Sequence, residues 1–271
     1  MNTTAATLSG RTALVTGSTS GLGAGIAEAL ADAGAHVVIT GRTRARGEQV
    51  VTQIESQGGR AVFVPVDFAA GPGTITDLVV TATEALGGRL DILVNNVATL
   101  VQPAPTADVT AEEITTAFGV SVATPFLLTG LIAPAMVQRG DGAIVNIGSI
   151  SGIIGAAGSA LYGATKASVH LLTKAWAAEY GPSGVRVNAV APGPIATERT
   201  REFGDAIAPV LARVPSHRMS TVAEVASAVV FLAGPEAANI HGTILSVDGG
   251  ATAVRDEPAA VTKLGNHPHP G

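Results

Sequence analysis

Ser149, Tyr162 and Lys166 are the residues whose types and spacing point most directly to chemistry. Tyr162 and Lys166 stand four apart, so on a helix they share one face, one turn apart. Ser149 ends the run Ile147-Gly148-Ser149, thirteen residues before the tyrosine. The chemistry open to such a set is acid–base. A free phenol titrates at about 10 and is a poor base at neutral pH. An ammonium beside it favours the phenolate and lowers that value. A phenol so tuned can give a proton to a carbonyl or take one from an alcohol. A serine hydroxyl can hold the same oxygen. Alone, a Tyr-x-x-x-Lys spacing is more often a core-capping tyrosine beside a solvated lysine.

A second candidate site lies near the N-terminus, at Thr16-Gly17-Ser18-Thr19-Ser20-Gly21-Leu22-Gly23. It follows an apolar run and precedes an Ala-rich periodic stretch. Glycines permit positive φ and let backbone N–H groups approach an anion. The helix N-terminus behind them adds about half a positive charge, so a diphosphate fits there. The spacing is Gly-x3-Gly-x-Gly. It is not G-x-G-x-x-G, whose last glycine would fall on Ile26, and no Gly-Lys-Ser/Thr makes it a Walker loop. An ordinary strand–helix turn is the plainer alternative.

A dinucleotide site that selects NAD usually places an acid at the end of the second strand, about 20 residues on. Here that place reads Thr40-Gly41-Arg42-Thr43-Arg44, with no acid. Arg42 can instead form charge-assisted bonds to a 2′-phosphate. Cations at a helix start are disfavoured by its dipole, and a bound anion would account for them better than a solvated basic patch. The reading favours NADP(H) over NAD(H).

The elements that must position these groups follow from the hydrophobic pattern. Strands are predicted at 12–16, 36–40, 61–66, 90–94, 143–147, 185–190 and 243–247. Helices are predicted at 21–33, 43–57, 74–86, 111–139, 159–180 and 221–233. Gly34 stands where a C-terminal cap glycine should. Thr110-Ala-Glu-Glu113 and Thr221-Val-Ala-Glu224 are capping boxes. In the long 111–139 helix, Pro125 and Pro134 should bend or shorten it. Alternating apolar strands and helices imply an α/β fold of one Rossmann-like domain. Its sheet is parallel and doubly wound, with about seven strands and helices on both faces. That domain is expected over residues 1–253. Residues 254–271, with Pro258, Pro268 and Pro270, read as a C-terminal tail.

Composition narrows the function. Hydrophobic residues make up 46% and charged residues 14% of 271, which excludes a disordered chain. With no cysteine there is no disulfide, thiolate nucleophile or zinc–thiolate site. Aromatics at 3% and a net charge of −5 argue against nucleic-acid binding. The first ten residues lack a basic and an apolar region, so no secretory leader is expected. The longest apolar stretch, 126–137, is too short to span a bilayer, which needs about 20 residues. A cytoplasmic protein is expected. No metal site is expected either. His36 begins a strand, His217 and His241 stand alone, and His267 and His269 lie in the tail.

Taken together, the glycine turn and the Ser-Tyr-Lys set resemble the short-chain dehydrogenase/reductase family. The resemblance runs from about Ser9 to Ala253. It includes Asn95-Asn96-Val97-Ala98, Tyr162-Gly-Ala-Thr-Lys166, Pro192-Gly193-Pro194-Ile195-Ala196-Thr197 and Val247-Asp248-Gly249-Gly250. It implies a hydride-transferring oxidoreductase that interconverts a ketone and a secondary alcohol. By that resemblance Tyr162 is the acid/base and Ser149 positions the substrate oxygen. Lys166 binds the nicotinamide ribose and lowers the tyrosine pKa. Gly17, Ser18, Thr19, Ser20, Gly21, Leu22 and Gly23 cradle the diphosphate. Asp67 contacts adenine beside the Phe68 backbone. Asn95 and the Val97–Ala98 backbone line the ribose. Pro192, Gly193, Ile195 and Thr197 hold the nicotinamide end.

Four positions depart from the family pattern. Asn-Asn-Val-Ala stands for Asn-Asn-Ala-Gly. Ser121 replaces an asparagine that, in the family, holds a water linking the lysine to solvent. Ser20 stands where NADP-using relatives often carry a second basic residue. The resemblance implies a homotetramer or dimer built on the long helices and a small carbonyl or alcohol as substrate. A 3-oxoacyl substrate competes with sugar, steroid or terpenoid-type alcohols. A catalytically weak cofactor-binding or regulatory protein on the same fold is the alternative from another class.

Overall fold

The structure, a computed structural model, describes residues 7–99, 101–198, 200 and 207–254. Seven strands form one parallel sheet: β1 (Thr12–Val15), β2 (His36–Gly41), β3 (Arg60–Pro65), β4 (Ile92–Asn95), β5 (Gly142–Ile147), β6 (Val185–Pro192) and, last in the chain, Ile244–Val247. Two two-residue strands, β7 (Ile195–Ala196) and β8 (Ser220–Thr221), pair apart from it, so the last strand is β9. The order across the main sheet is β3-β2-β1-β4-β5-β6-β9. The direction of winding reverses between β1 and β4, and such a switch point is where doubly wound sheets bind ligands.

The helices are α1 (Gly21–Asp32), α2 (Arg44–Ser56), α3 (Pro72–Ala85), α4 (Ala111–Phe118), α5 (Thr124–Arg139), α6 (Ala160–Tyr180), α7 (Ala208–Leu211) and α8 (Val222–Ala233). Both faces of the sheet are covered. Val15, Val37, Ile39 and Ile92 pack with Ile26, Leu30 and Val229 on one face. Leu14, Val38, Leu93 and Ile144 pack with Leu78, Leu128 and Trp176 on the other. Each fully buried side chain of this size contributes about 1.5–3 kcal/mol. This two-sided burial is why the strands carry apolar residues continuously instead of alternating.

Both capping boxes form. Glu113 N–H donates to the Thr110 hydroxyl at 3.2 Å, and Thr110 N–H donates to the Glu113 carboxylate at 2.8 Å. Thr221 and Glu224 repeat the exchange. Gly34 has φ +100°, the left-handed conformation expected after α1.

The long helix expected over 111–139 is not continuous. A π-helical turn at Gly119–Ala123 divides it into α4 and α5. Pro125 sits in the first turn of α5, where its missing N–H costs nothing, and Pro134 lies inside. The sequence pattern marks the prolines, but the break comes one turn earlier, around Ser121. By length and apolarity alone, 111–139 could cross a membrane, yet half of its most apolar window is buried inside the fold. It is a core segment lying over the sheet. The 12-residue limit read from the sequence understated its apolar length.

Candidate active site

The glycine turn is bound tightly to the ends of β1, β2 and β4. Gly17 N–H donates to the Thr40 hydroxyl at 3.1 Å. The Ser18 hydroxyl donates to Val15 O at 2.7 Å and accepts from Thr40 N–H at 2.9 Å. Ser18 is fully buried, so its hydroxyl serves the fold and only its backbone remains for a ligand. Gly17 and Gly21 both have positive φ, at +64° and +55°. A Cβ at Gly23 would stand 2.2 Å from Gly17 O and 2.6 Å from Asn96 Nδ2. The turn and α1 therefore meet backbone to backbone. Ser20 begins α1 without a side-chain cap. The first N–H groups of α1 are thus left to an incoming acceptor, as a diphosphate cradle requires.

Asn96 is a residue that sequence reasoning passed over. Its Nδ2 donates to Thr16 O at 2.8 Å and Gly17 O at 3.0 Å, supporting the turn from below. The doubled Asn95-Asn96 was the available signal. Asn95 was expected at a ribose, and one end of its side chain is engaged within the sheet. It is buried and donates to Asn146 Oδ1 at 2.8 Å. Its own Oδ1 is buried without a hydrogen-bond partner. Val97, where the family usually has alanine, stands 3.5 Å from the place of a Gly17 Cβ, and Ala98 beside it is exposed.

Arg42 and Asp67 share one groove of 480 Å³ along edge strand β3 and α3. Arg42 is exposed and has no acidic partner among the described residues. Arg44 is engaged instead with Glu48 at 3.2 Å and lies over the Phe63 ring. Asp67 is exposed, and its Oδ1 accepts from Ala69 N–H at 3.0 Å. The Phe68 side chain is buried in the core beside it.

Across the switch point, Ser149 lies at the carboxyl end of β5, and α6 brings Tyr162 and Lys166 to the same place. The Ser149 hydroxyl accepts from Ser151 N–H at 3.1 Å. Lys166 is 4% exposed, donates to Ile147 O at 2.8 Å and lies 5.8 Å from the Tyr162 ring centroid. Burial lowers the lysine pKa to about 8. Burial also raises the Tyr162 pKa, opposed by a hydrogen bond with Ser149. Desolvation disfavours the charged form of each group.

Ser121 is buried at the π-helical turn, and its hydroxyl accepts from Thr99 N–H at 3.0 Å. It thereby ties the helix break to the loop after Val97-Ala98, so two departures from the family pattern meet in one hydrogen bond. β6 ends on Pro192, which is buried, and Gly193 after it packs against Asp248, leaving about 3.0 Å for a Cβ. Thr197 N–H donates to the Thr200 hydroxyl at 2.7 Å, which in turn donates to Ile195 O at 2.6 Å. Thr200 was not singled out from sequence. Arg199, Arg201 and the tail with His267 and His269 lie outside the described residues.

His170 also escaped notice, although it continues the Tyr162–Lys166 face by one more turn. It is buried, and its Nε2 has no hydrogen-bond partner. Burial lowers its pKa; a hydrogen bond with the Gly152 backbone opposes this, and Lys166 and Lys174 add to the lowering. A Cβ at Gly148 would stand 2.0 Å from His170 Nε2. Gly148→Ala should therefore overpack the floor beneath Ser149 and cost about 1–3 kcal/mol of stability. Thermal melts check this. His170→Ala should restore much of the loss in the double variant, and no coupling between the two would contradict the packing.

A family model described as enoyl-(acyl carrier protein) reductase matches residues 17–252. A solved structure described as a short chain dehydrogenase/reductase family protein is 42% identical, with a TM-score of 0.83, covering 92% of this chain and 100% of that one. This chain belongs to the short-chain dehydrogenase/reductase family. Cyclopentanol dehydrogenase of Comamonas sp. is 39% identical over 89% of this chain and 96% of its own length. Gluconate 5-dehydrogenase from Burkholderia cenocepacia, solved with NADP and tartrate, is 33% identical. It has a TM-score of 0.86 and covers 93% of this chain and 98% of that one. The chain is an NAD(P)-dependent oxidoreductase acting on alcohol or ketone substrates.

Proposed function

We propose that this short-chain dehydrogenase/reductase uses NADP(H) to interconvert a ketone and a secondary alcohol, with Tyr162 as proton donor and acceptor. The observation that carries the reading is the meeting of Ser149, Tyr162 and Lys166 at the carboxyl end of β5, across the switch point from the glycine turn. A bound nicotinamide supplies or accepts the hydride. In reduction, the Tyr162 hydroxyl gives its proton to the carbonyl oxygen as the carbinol forms. Ser149 donates a hydrogen bond to that oxygen and holds it in reach. Lys166 holds the ribose and returns a proton toward Tyr162. In oxidation each proton movement runs in reverse. Ser121 supports this set by holding the π-helical turn to the loop after β4. The reading places the enzyme in the cytoplasm, with a small carbonyl or alcohol as substrate. The likeness to cyclopentanol dehydrogenase puts small alicyclic ketones first on a test panel, with 3-oxoacyl esters and sugar acids beside them.

Arg42 supports NADP over NAD, because it is a cation with no acidic partner among the described residues, in the groove that also holds Asp67. An exposed charge-assisted hydrogen bond is worth about 1.5–3 kcal/mol, or roughly ten- to a hundredfold in affinity. Arg42→Ala should weaken NADPH by that factor and leave NADH nearly unchanged. Fluorescence titrations of both dinucleotides check it. A wild type preferring NADH, or equal weakening of both, contradicts the choice.

The homotetramer or dimer is proposed on the apolar surface of α4, α5 and α6. Ile114, Phe126, Leu127, Leu131 and Leu171 lie exposed there, Leu171 to 69%. Light scattering should find an oligomer at micromolar concentration, and Leu171→Glu should shift it to smaller species. A monomeric wild type would reject this.

A further inference from the structure

We propose that Thr19 is a specificity-determining residue. Its β-branched side chain reserves the end of β2 for a glycine and so keeps an acid away from the adenosine ribose. The observation is a steric one. Gly41 is buried with an ordinary backbone conformation, so its φ does not require glycine. The space does. A Cβ at position 41 would stand 2.6 Å from Thr19 Cγ2 and 2.9 Å from Thr19 Oγ1.

Neither residue can retreat cheaply. The backbone on both sides of the contact is pinned, with Ser18 N–H donating to Thr40 O at 2.9 Å. The Ser18 and Thr40 hydroxyls both return to Val15 O. A rotamer change does not help either. Two of the three staggered positions on a threonine Cβ carry heavy atoms, and both now face Gly41. Turning the side chain to another well leaves one of them there. Serine, with one heavy substituent, could turn it away. Thr19 and Gly41 thus form a pair, and a carboxylate cannot enter position 41 while threonine holds position 19. An acid there would bind a ribose diol and repel a 2′-phosphate, so this pair removes the usual means of choosing NAD.

The proposal rests on reading the glycine turn as the dinucleotide site, and the test separates the two. Dissociation constants for NADH and NADPH and thermal melts are measured on wild type, Gly41→Asp, Thr19→Gly, Thr19→Ser and the two double variants. Gly41→Asp alone should lower the melting temperature and weaken both dinucleotides. Either double variant should recover the melting temperature and bind NADH about tenfold or more tighter than Gly41→Asp alone, with NADPH weakened. If Gly41→Asp alone melts like wild type and gains NADH affinity as the doubles do, Thr19 is not the gate. If doubles and single are equally unstable, the pairing is also overturned. A wild type that prefers NADH refutes the cofactor choice at Arg42, while the coupling between positions 19 and 41 still decides the gate.

Discussion

Tyr162→Phe should cut turnover about 10²–10⁴-fold, the usual loss when general acid–base help is removed. The substitution deletes one oxygen and keeps the ring. Tyr162 is half-buried at the start of α6, and among the described residues its hydroxyl bonds only with Ser149. Folding and dinucleotide affinity should therefore survive. Steady-state rates and fluorescence titration on the same preparation separate the two effects. The rate–pH profile should change with it, because the group that titrates with the phenol is gone. Equal turnover in wild type and variant would remove Tyr162 from the mechanism.

The second large effect is expected at the other end of the site. Gly23→Ala places a methyl 2.2 Å from Gly17 O and 2.6 Å from Asn96 Nδ2. The first obstacle is backbone, so the turn must open. Opening it moves the N–H groups aimed at the diphosphate and breaks the Asn96 bonds beneath. The loss of two charge-assisted bonds would weaken either dinucleotide about a hundredfold or more. Overpacking should also cost about 1–3 kcal/mol in a thermal melt. Gly21→Ala is the control. Nothing stands within 4 Å of a Cβ there, and only the positive φ of +55° resists it. It should cost less than Gly23→Ala in both readouts. Wild-type dinucleotide affinity in Gly23→Ala would show that the turn does not hold the diphosphate.

The sheet was legible because its strands are buried on both faces and leave unbroken apolar runs such as Val37–Ile39 and Ile92–Val94. Helix starts were legible where a side chain caps them, at Thr110 and Thr221. The π-helical turn at Ser121 was not, since the local sequence signals, Pro125 and Pro134, mark later turns of the segment. The proposed catalytic set was legible because Tyr162 and Lys166 share a helix and thus a fixed spacing. Asn96, His170 and Thr200 were not. They act on backbone or packing partners far away in sequence, and only the fold brings Asn96 under Gly17 or His170 under Gly148.

Ser149, Tyr162 and Lys166 are proposed to carry out ketone–alcohol interconversion with a nicotinamide bound at the glycine turn. The most direct measurement is turnover of the wild-type protein with NADPH across alicyclic ketones, 3-oxoacyl esters and keto sugar acids. It would be followed by nicotinamide absorbance with product identified as the alcohol. NADPH oxidation should be matched mole for mole by a secondary alcohol on at least one class, and should collapse in Tyr162→Phe. Tight NADPH binding with no alcohol formed from any of them would contradict it, and would favour a cofactor-binding protein on the same fold.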